Sequence, residues 1–161
     1  MIYVLSRREV ETFCADPEMA PTPIISIRSP GARENRLGTG NWVLPLVFCD
    51  AVPGLDGTPQ IRPHAAGEEV LRNYRSIELF EPFHARAIEA FVRLHLREGR
   101  DIIVHCLGGI SRSAGVAAAL QEFFDLPVEW GSSITDPNPH VKAVLLAVLA
   151  EETARRERVA A

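Results

Sequence analysis

Three cysteines, Cys14, Cys49 and Cys106, are too few for a disulfide framework, and with no Cys-x-x-Cys pair they do not form a four-ligand zinc cluster. Reduced thiols are expected. The histidines His64, His84, His95 and His140 are scattered, so neither a metal nor a cofactor is expected. Long apolar runs are missing too. The opening MIYVLSRREVETF holds one four-residue apolar run before two arginines, short of a signal-peptide core and of the roughly 20 apolar residues that span a bilayer. A cytoplasmic protein with no membrane partner is expected. Lysine is almost absent: of 17 basic residues only Lys142 is not arginine. Arginine is the better fork for phosphate and carboxylate, but the bias runs along the whole chain, as a GC-rich genome would also produce. A formal charge of −4 lacks the basic excess of a nucleic-acid binder, so no nucleic-acid partner is expected. Repeats and low-complexity tracts are absent. What is present, 47% hydrophobic and 24% charged residues over 161 positions, suits one globular domain spanning 1–161.

The pattern along the chain alternates strands with helices. Ile2 to Leu5 predicts a strand, and Ser6-Arg7-Arg8-Glu9 is a capping-box pattern starting a helix to about Cys14. Pro23 to Ile27 and Trp42 to Phe48 predict two more strands, separated by a polar loop with Gly38 and Gly40. Ala51 to Pro63 carries Pro53, Gly54, Gly57, Pro59 and Pro63 and predicts a long loop without regular structure. Phe80, Phe83, Ala87, Phe91 and Leu94 recur at helical spacing, with Pro82 suited to the first turn and Gly99 to the end. Asp101 to Cys106 predicts a buried strand through Ile102-Ile103-Val104. Ala117 to Phe124 and a stretch from Pro139 predict further helices, the last fraying over about 155–161. The expected class is α/β: a single domain with a central, mostly parallel sheet of about four to five strands flanked by helices.

The chemistry is concentrated in His105-Cys106-Leu107-Gly108-Gly109-Ile110-Ser111-Arg112-Ser113, between a buried strand and a helix. A strand, a tight loop and a helix start make a phosphate cradle, because successive backbone N–H groups converge and the helix N-terminus adds positive potential. Gly108 and Gly109 permit the turn. Cys106 at the cradle floor is the candidate thiolate nucleophile. Arg112 offers a planar fork for two phosphoryl oxygens, and Ser113 can donate a hydrogen bond to the sulfur. Neither other cysteine has this context, since Cys14 and Cys49 are followed at the same distance by Ala20 and Leu55.

At these residues the chain resembles the cysteine-dependent protein tyrosine phosphatases, whose signature is His-Cys-x5-Arg-Ser/Thr with glycine at the third x. His105, Cys106, Gly109, Arg112 and Ser113 match every defined position. Its shortness is similar to the compact, dual-specificity-type branch, as is Pro137-Asn138 before the last helix, although Val141 and Val144 replace that motif's usual Phe and Gln. The resemblance implies a phosphatase-like fold and a metal-free, two-step hydrolysis of a phosphorylated protein or peptide. Cys106 becomes phosphorylated, residues 107–112 hold the phosphate, His105 supports the loop, and an aspartate first protonates the leaving oxygen and then activates water. The Trp-Pro-Asp marker of the tyrosine-specific enzymes is missing after both Trp42 and Trp130. The compact branch places its acid after the strand preceding the long helix, which selects Asp50; Asp56, in Gly-Leu-Asp-Gly, is the competitor.

Other readings stay open at this point. The same loop could serve a phosphoinositide or an RNA 5′-triphosphate, although the uncharged residues Leu107 to Ser111 disfavour highly anionic substrates. A non-catalytic phosphate-binding module would be expected to lose Cys106 or Arg112. A rhodanese-type sulfurtransferase also uses a loop cysteine, but His105 and Ser113 fit phosphatases better. Cys49 beside Asp50 invites a regulatory disulfide with Cys106, which strand alternation disfavours. Arg28, Arg33 and Arg36 could bind a second phosphate or an acidic peptide, or form a solvated loop.

Overall fold

The computed structural model describes residues 1–62, 77–131 and 135–160, so Pro63 and His64 lie outside the described residues. The elements in chain order are β1 (Ile2–Ser6), α1 (Arg7–Ala15), β2 (Pro23–Arg28), β3 (Trp42–Val47), β4 (Ala51–Pro53), β5 (Pro59–Ile61), α2 (Pro82–Arg97), β6 (Ile102–Cys106), α3 (Arg112–Phe124), β7 (Val128–Trp130) and α4 (Pro139–Ala160). Five strands form one parallel sheet in the order β3-β2-β6-β1-β7, the expected class with every pairing parallel. The helix α4 continues to Ala160 through the segment expected to fray.

Two layers of helices cover the sheet, and the period-2 alternation of its strands decides which side chain meets which layer. Ile2 and Val4, Ile25 and Ile27, and Ile102, Val104 and Cys106 point to the α2–α3–α4 side, where they join Ile88, Val116, Leu120, Leu145 and Leu149 in the larger core. Ile24 and Ile103 point the other way, onto Val10 of α1 and Leu37. Strands buried on both faces need apolar residues at nearly every position, hence runs such as Ile102-Ile103-Val104.

The local signals behave as their chemistry requires. Ser6 Oγ accepts from the Glu9 N–H at 3.3 Å, and Glu9 returns the bond to the Ser6 N–H at 2.6 Å, so the capping box launches α1. Pro82 opens α2, and Gly99 beyond its end takes φ +69. The stretch after Asp50 differs from expectation. It is a short antiparallel hairpin, β4 with β5, rather than an irregular loop. Its prolines, Pro53 and Pro59, face each other at the turn end, where a missing N–H costs the ladder little. Gly57 at φ +80 and an N–H from Gly54 to the Thr58 carbonyl close the turn. β7 has no counterpart among the expected strands. Among the described residues no helix is long and apolar enough to cross a membrane.

Candidate active site

In a parallel sheet with helices on both faces, the loops leaving the carboxyl ends of the strands gather on one rim. β6 ends at Cys106, residues 107–111 turn, and α3 starts at Arg112. Neighbouring segments hold the loop by its carbonyls. Leu107 O accepts from the Arg7 N–H at 3.0 Å, Ile110 O from Asp136 at 3.0 Å, and Ser111 O from Gly115 at 2.7 Å and Asn138 at 3.1 Å. Three of the loop's carbonyls are thereby tied to α1, α3 and the approach to α4. Gly109 is required at its position. It adopts φ +72, and a Cβ there would lie 3.0 Å from the Leu5 and Ser6 backbone.

Cys106 is buried at the floor, with its Sγ 3.1 Å from Ser113 Oγ in the first turn of α3. Arg112, 2% exposed, is oriented from outside the loop: its guanidinium donates to Ser29 Oγ at 2.8 Å and to the Phe48 carbonyl at 3.1 Å, just beyond β2 and β3. Two adjacent strand ends thus aim one guanidinium, which is the preorganisation a phosphate clamp needs.

Asp50 sits two residues beyond Phe48 and is buried. Its Oδ1 accepts from Ser111 Oγ at 2.7 Å and from Asn138 Nδ2 at 2.8 Å, which ties the carboxylate to the phosphate-loop candidate. Asp56 lies elsewhere. It occupies the exposed tip of the β4–β5 hairpin, where its Oδ1 accepts from the Thr58 N–H at 3.0 Å and from Thr58 Oγ1 at 2.6 Å. Those two bonds hold its carboxyl below the ordinary aspartate range. Asp56 therefore serves the hairpin turn.

His105 lies in register with Ser26 of β2 and points to the α1 side of the sheet, away from Cys106. Its Nε2 is 2.9 Å from Ser26 Oγ, which accepts from Asn35 Nδ2 at 2.8 Å; its Nδ1 is 3.4 Å from the Cys106 carbonyl. Burial pushes the imidazole pKa down to about 4, so at neutral pH the ring carries one proton. With Asn35 donating to Ser26, the hydroxyl proton is available for Nε2, which leaves Nδ1–H to donate to the Cys106 carbonyl. The ring thereby fixes the backbone carrying the thiol.

Cys49 is also buried. Its N–H donates to the Glu78 carbonyl at 2.8 Å, and burial pushes its thiol up. β3 stops at Val47, so strand alternation does not govern residues 49 and 50, and all three cysteines are free thiols. Among the described residues no group of three or more His, Cys, Asp or Glu side chains is placed to hold a metal.

Ser26, Ser29, Asn35 and Asn138 stand outside the roles expected from the sequence. A signal existed for Ser26, the lone polar residue inside the apolar run Pro23 to Ile27. Asn138, fully buried, links Ser111, Asp50, the Ala51 carbonyl at 3.2 Å and the start of α4.

No protein-family model and no curated protein sequence matches the chain. Solved structures do match. Human DUSP28 is similar over 96% of this chain and 94% of its own, at 17% identity and a TM-score of 0.57. PTPMT1 is similar over 98% of this chain and 95% of its own, at 18% identity and a TM-score of 0.50. The chain has the fold of the compact cysteine-dependent phosphatases.

Proposed function

We propose that the protein hydrolyses phosphomonoesters on proteins, at phosphotyrosine or phosphoserine and phosphothreonine, through a cysteinyl-phosphate intermediate. The observation carrying this reading is the pairing of Cys106 Sγ with Ser113 Oγ at 3.1 Å, on a loop whose Arg112 is oriented by Ser29 and Phe48. The thiolate of Cys106 attacks phosphorus, and the bond to the leaving oxygen breaks. Asp50 gives that oxygen its proton. In the second step Asp50, now a carboxylate, takes a proton from water; the hydroxyl oxygen bonds phosphorus and the S–P bond breaks, releasing phosphate and restoring the thiolate. Arg112 and the loop N–H groups stabilise charge on the equatorial oxygens. Ser113 donates to the departing sulfur. Asp50 is favoured over Asp56 because its carboxylate is bonded to Ser111 of the loop, whereas Asp56 is bonded to its own turn.

The test is hydrolysis of p-nitrophenyl phosphate with a chelator present. Wild-type turnover that Cys106→Ser abolishes is expected, and no wild-type turnover refutes the reading. Asp50→Asn should cost about 10²–10⁴-fold on alkyl-like leaving groups and much less on nitrophenolate, which leaves without a proton. Equal losses on both point to another acid. A phosphoinositide or an RNA 5′-triphosphate turned over faster than a phosphopeptide would replace the protein substrate.

A further inference from the structure

A concavity opens beside the start of the phosphate loop. Between α1 and the β2–β3 connection lies an open groove of about 760 Å³, lined by Arg7, Arg8, Glu11, Arg33, Arg36 and Leu107 among others. Leu107 is the first loop residue after Cys106, and its carbonyl bonds the Arg7 N–H, so groove and loop share a wall. Four guanidinium groups against one carboxylate give this surface an excess of three positive charges, on a chain whose formal charge is −4.

The single carboxylate is already committed. Glu11 takes both terminal nitrogens of Arg33, at 2.8 and 2.9 Å, and the Arg36 N–H at 3.1 Å. Arg33 holds its carboxyl below the ordinary glutamate range, so Glu11 stays ionised and braces the far wall. Arg33 and Arg36 are thus fastened to α1 rather than forming a freely solvated loop.

We propose that this groove binds acidic residues flanking the phosphorylated residue of a protein substrate. The inference rests on the hydrolase reading above, because the peptide must enter through the phosphate loop. Along α1 the lining runs from Arg7 to Ala15, about 12 Å at 1.5 Å per residue, which accommodates roughly three to four residues of an extended peptide. Charge spread over that length suits a series of carboxylates better than one compact headgroup. A membrane-facing basic surface would carry exposed apolar residues beside its arginines. Met1, Met19, Trp42, Leu55, Phe83, Leu94 and Val159 are the exposed large hydrophobics among the described residues, and none lines the groove. The arrangement also separates two tasks: an uncharged loop takes the scissile phosphate, and the basic groove reads its neighbours.

The experiment measures binding of fluorescent phosphotyrosine peptides to Cys106→Ser, with glutamate, alanine or lysine at the four positions on either side. The glutamate peptide should bind about tenfold tighter than the alanine peptide, as two or three partly exposed ion pairs allow. The advantage should shrink as salt shortens the screening length from about 10 Å at 0.1 M to about 3 Å at 1 M. Adding Arg8→Glu and Arg36→Glu should invert the order, so that the lysine peptide binds tightest, a gain that misfolding cannot produce. Equal binding of the three peptides, or a glutamate preference surviving the charge reversal, overturns the proposal. So does affinity for phosphoinositide vesicles that exceeds every peptide and disappears on the reversal. Absent p-nitrophenyl phosphate turnover by the wild type would instead strike at the hydrolase reading.

Discussion

Replacing Asn138 with alanine removes one side chain that performs two tasks. Its Oδ1 accepts the N–H groups of His140 at 3.0 Å and Val141 at 3.2 Å, which caps α4, and its Nδ2 donates to Asp50 at 2.8 Å and to the Ala51 carbonyl at 3.2 Å. Loss of a cap costs about 1 kcal/mol. A hydrogen bond to a buried carboxylate contributes about 1.5–3 kcal/mol. Asn138→Ala should therefore lower stability by about 3 kcal/mol, and Tm by about 6–12 °C for a chain of this size. Asn138→Ser separates the tasks, because serine keeps an oxygen for the cap and lacks the reach of the amide. It should recover about 1 kcal/mol of stability while leaving Asp50 as loosely held as alanine does. Thermal and urea unfolding of the three proteins give the first number; turnover of a phenyl against a nitrophenyl phosphate gives the second, with both variants losing more on phenyl. A Tm for Asn138→Ala within about 2 °C of wild type, a third of the smallest shift expected, would refute the assignment of Asn138 as the link between Ser111, Asp50 and the start of α4.

Three further outcomes follow from the geometry. Gly109→Ala puts a methyl 3.0 Å from the Leu5 and Ser6 backbone at φ +72, and the displaced loop should lose about 10²-fold in kcat/KM for p-nitrophenyl phosphate. Gly115→Ala raises helix propensity by about 1 kcal/mol, yet its Cβ would meet the Asn138 carbonyl at 2.8 Å, so the urea midpoint should fall rather than rise. His105 has a folded pKa of about 4 against 6.5 unfolded. Between those values the unfolded chain binds the extra proton, so stability should drop as pH falls through that window, by roughly 3 kcal/mol at 1.36 kcal/mol per unit. His105→Gln should flatten that part of a stability-against-pH curve, and an unchanged slope from pH 6.5 to 4.5 would count against the buried neutral ring.

The parts of this fold that the sequence makes legible are those whose cause is local. The Ser6–Glu9 capping box, Pro82 and Gly99 around α2, and the strand–loop–helix order around Cys106 all depend on residues a few positions apart. The hairpin after Asp50 is not legible, because its prolines argue against strands unless their place at the turn end is known. β7 spans only Val128 to Trp130 and owes its existence to pairing with β1. The candidate site divides along the same line. Loop residues are contiguous and announce themselves, whereas Ser29 and Phe48 behind Arg112, or Ser26 and Asn35 behind His105, meet through the sheet across tens of residues. Asp56 competes with Asp50 in the sequence, and the turn that occupies its carboxylate becomes visible only in the fold.

The position of β1 has a consequence for how the chain is made. Ile2 pairs with Ile102 and Val128, so β1 leaves the ribosome a hundred or more residues ahead of both its partners. β2 and β3 are near neighbours in sequence and can pair early. β1 cannot. At synthesis rates of about 5–20 residues per second, its apolar edge waits roughly 5–20 s for β6 to emerge. Such long-range parallel pairing makes for slow folding and prolonged exposure of unpaired strands. For this protein, the yield of folded chain in a cell depends on what shields Ile2, Tyr3 and Val4 during that interval as much as on the stability of the finished sheet.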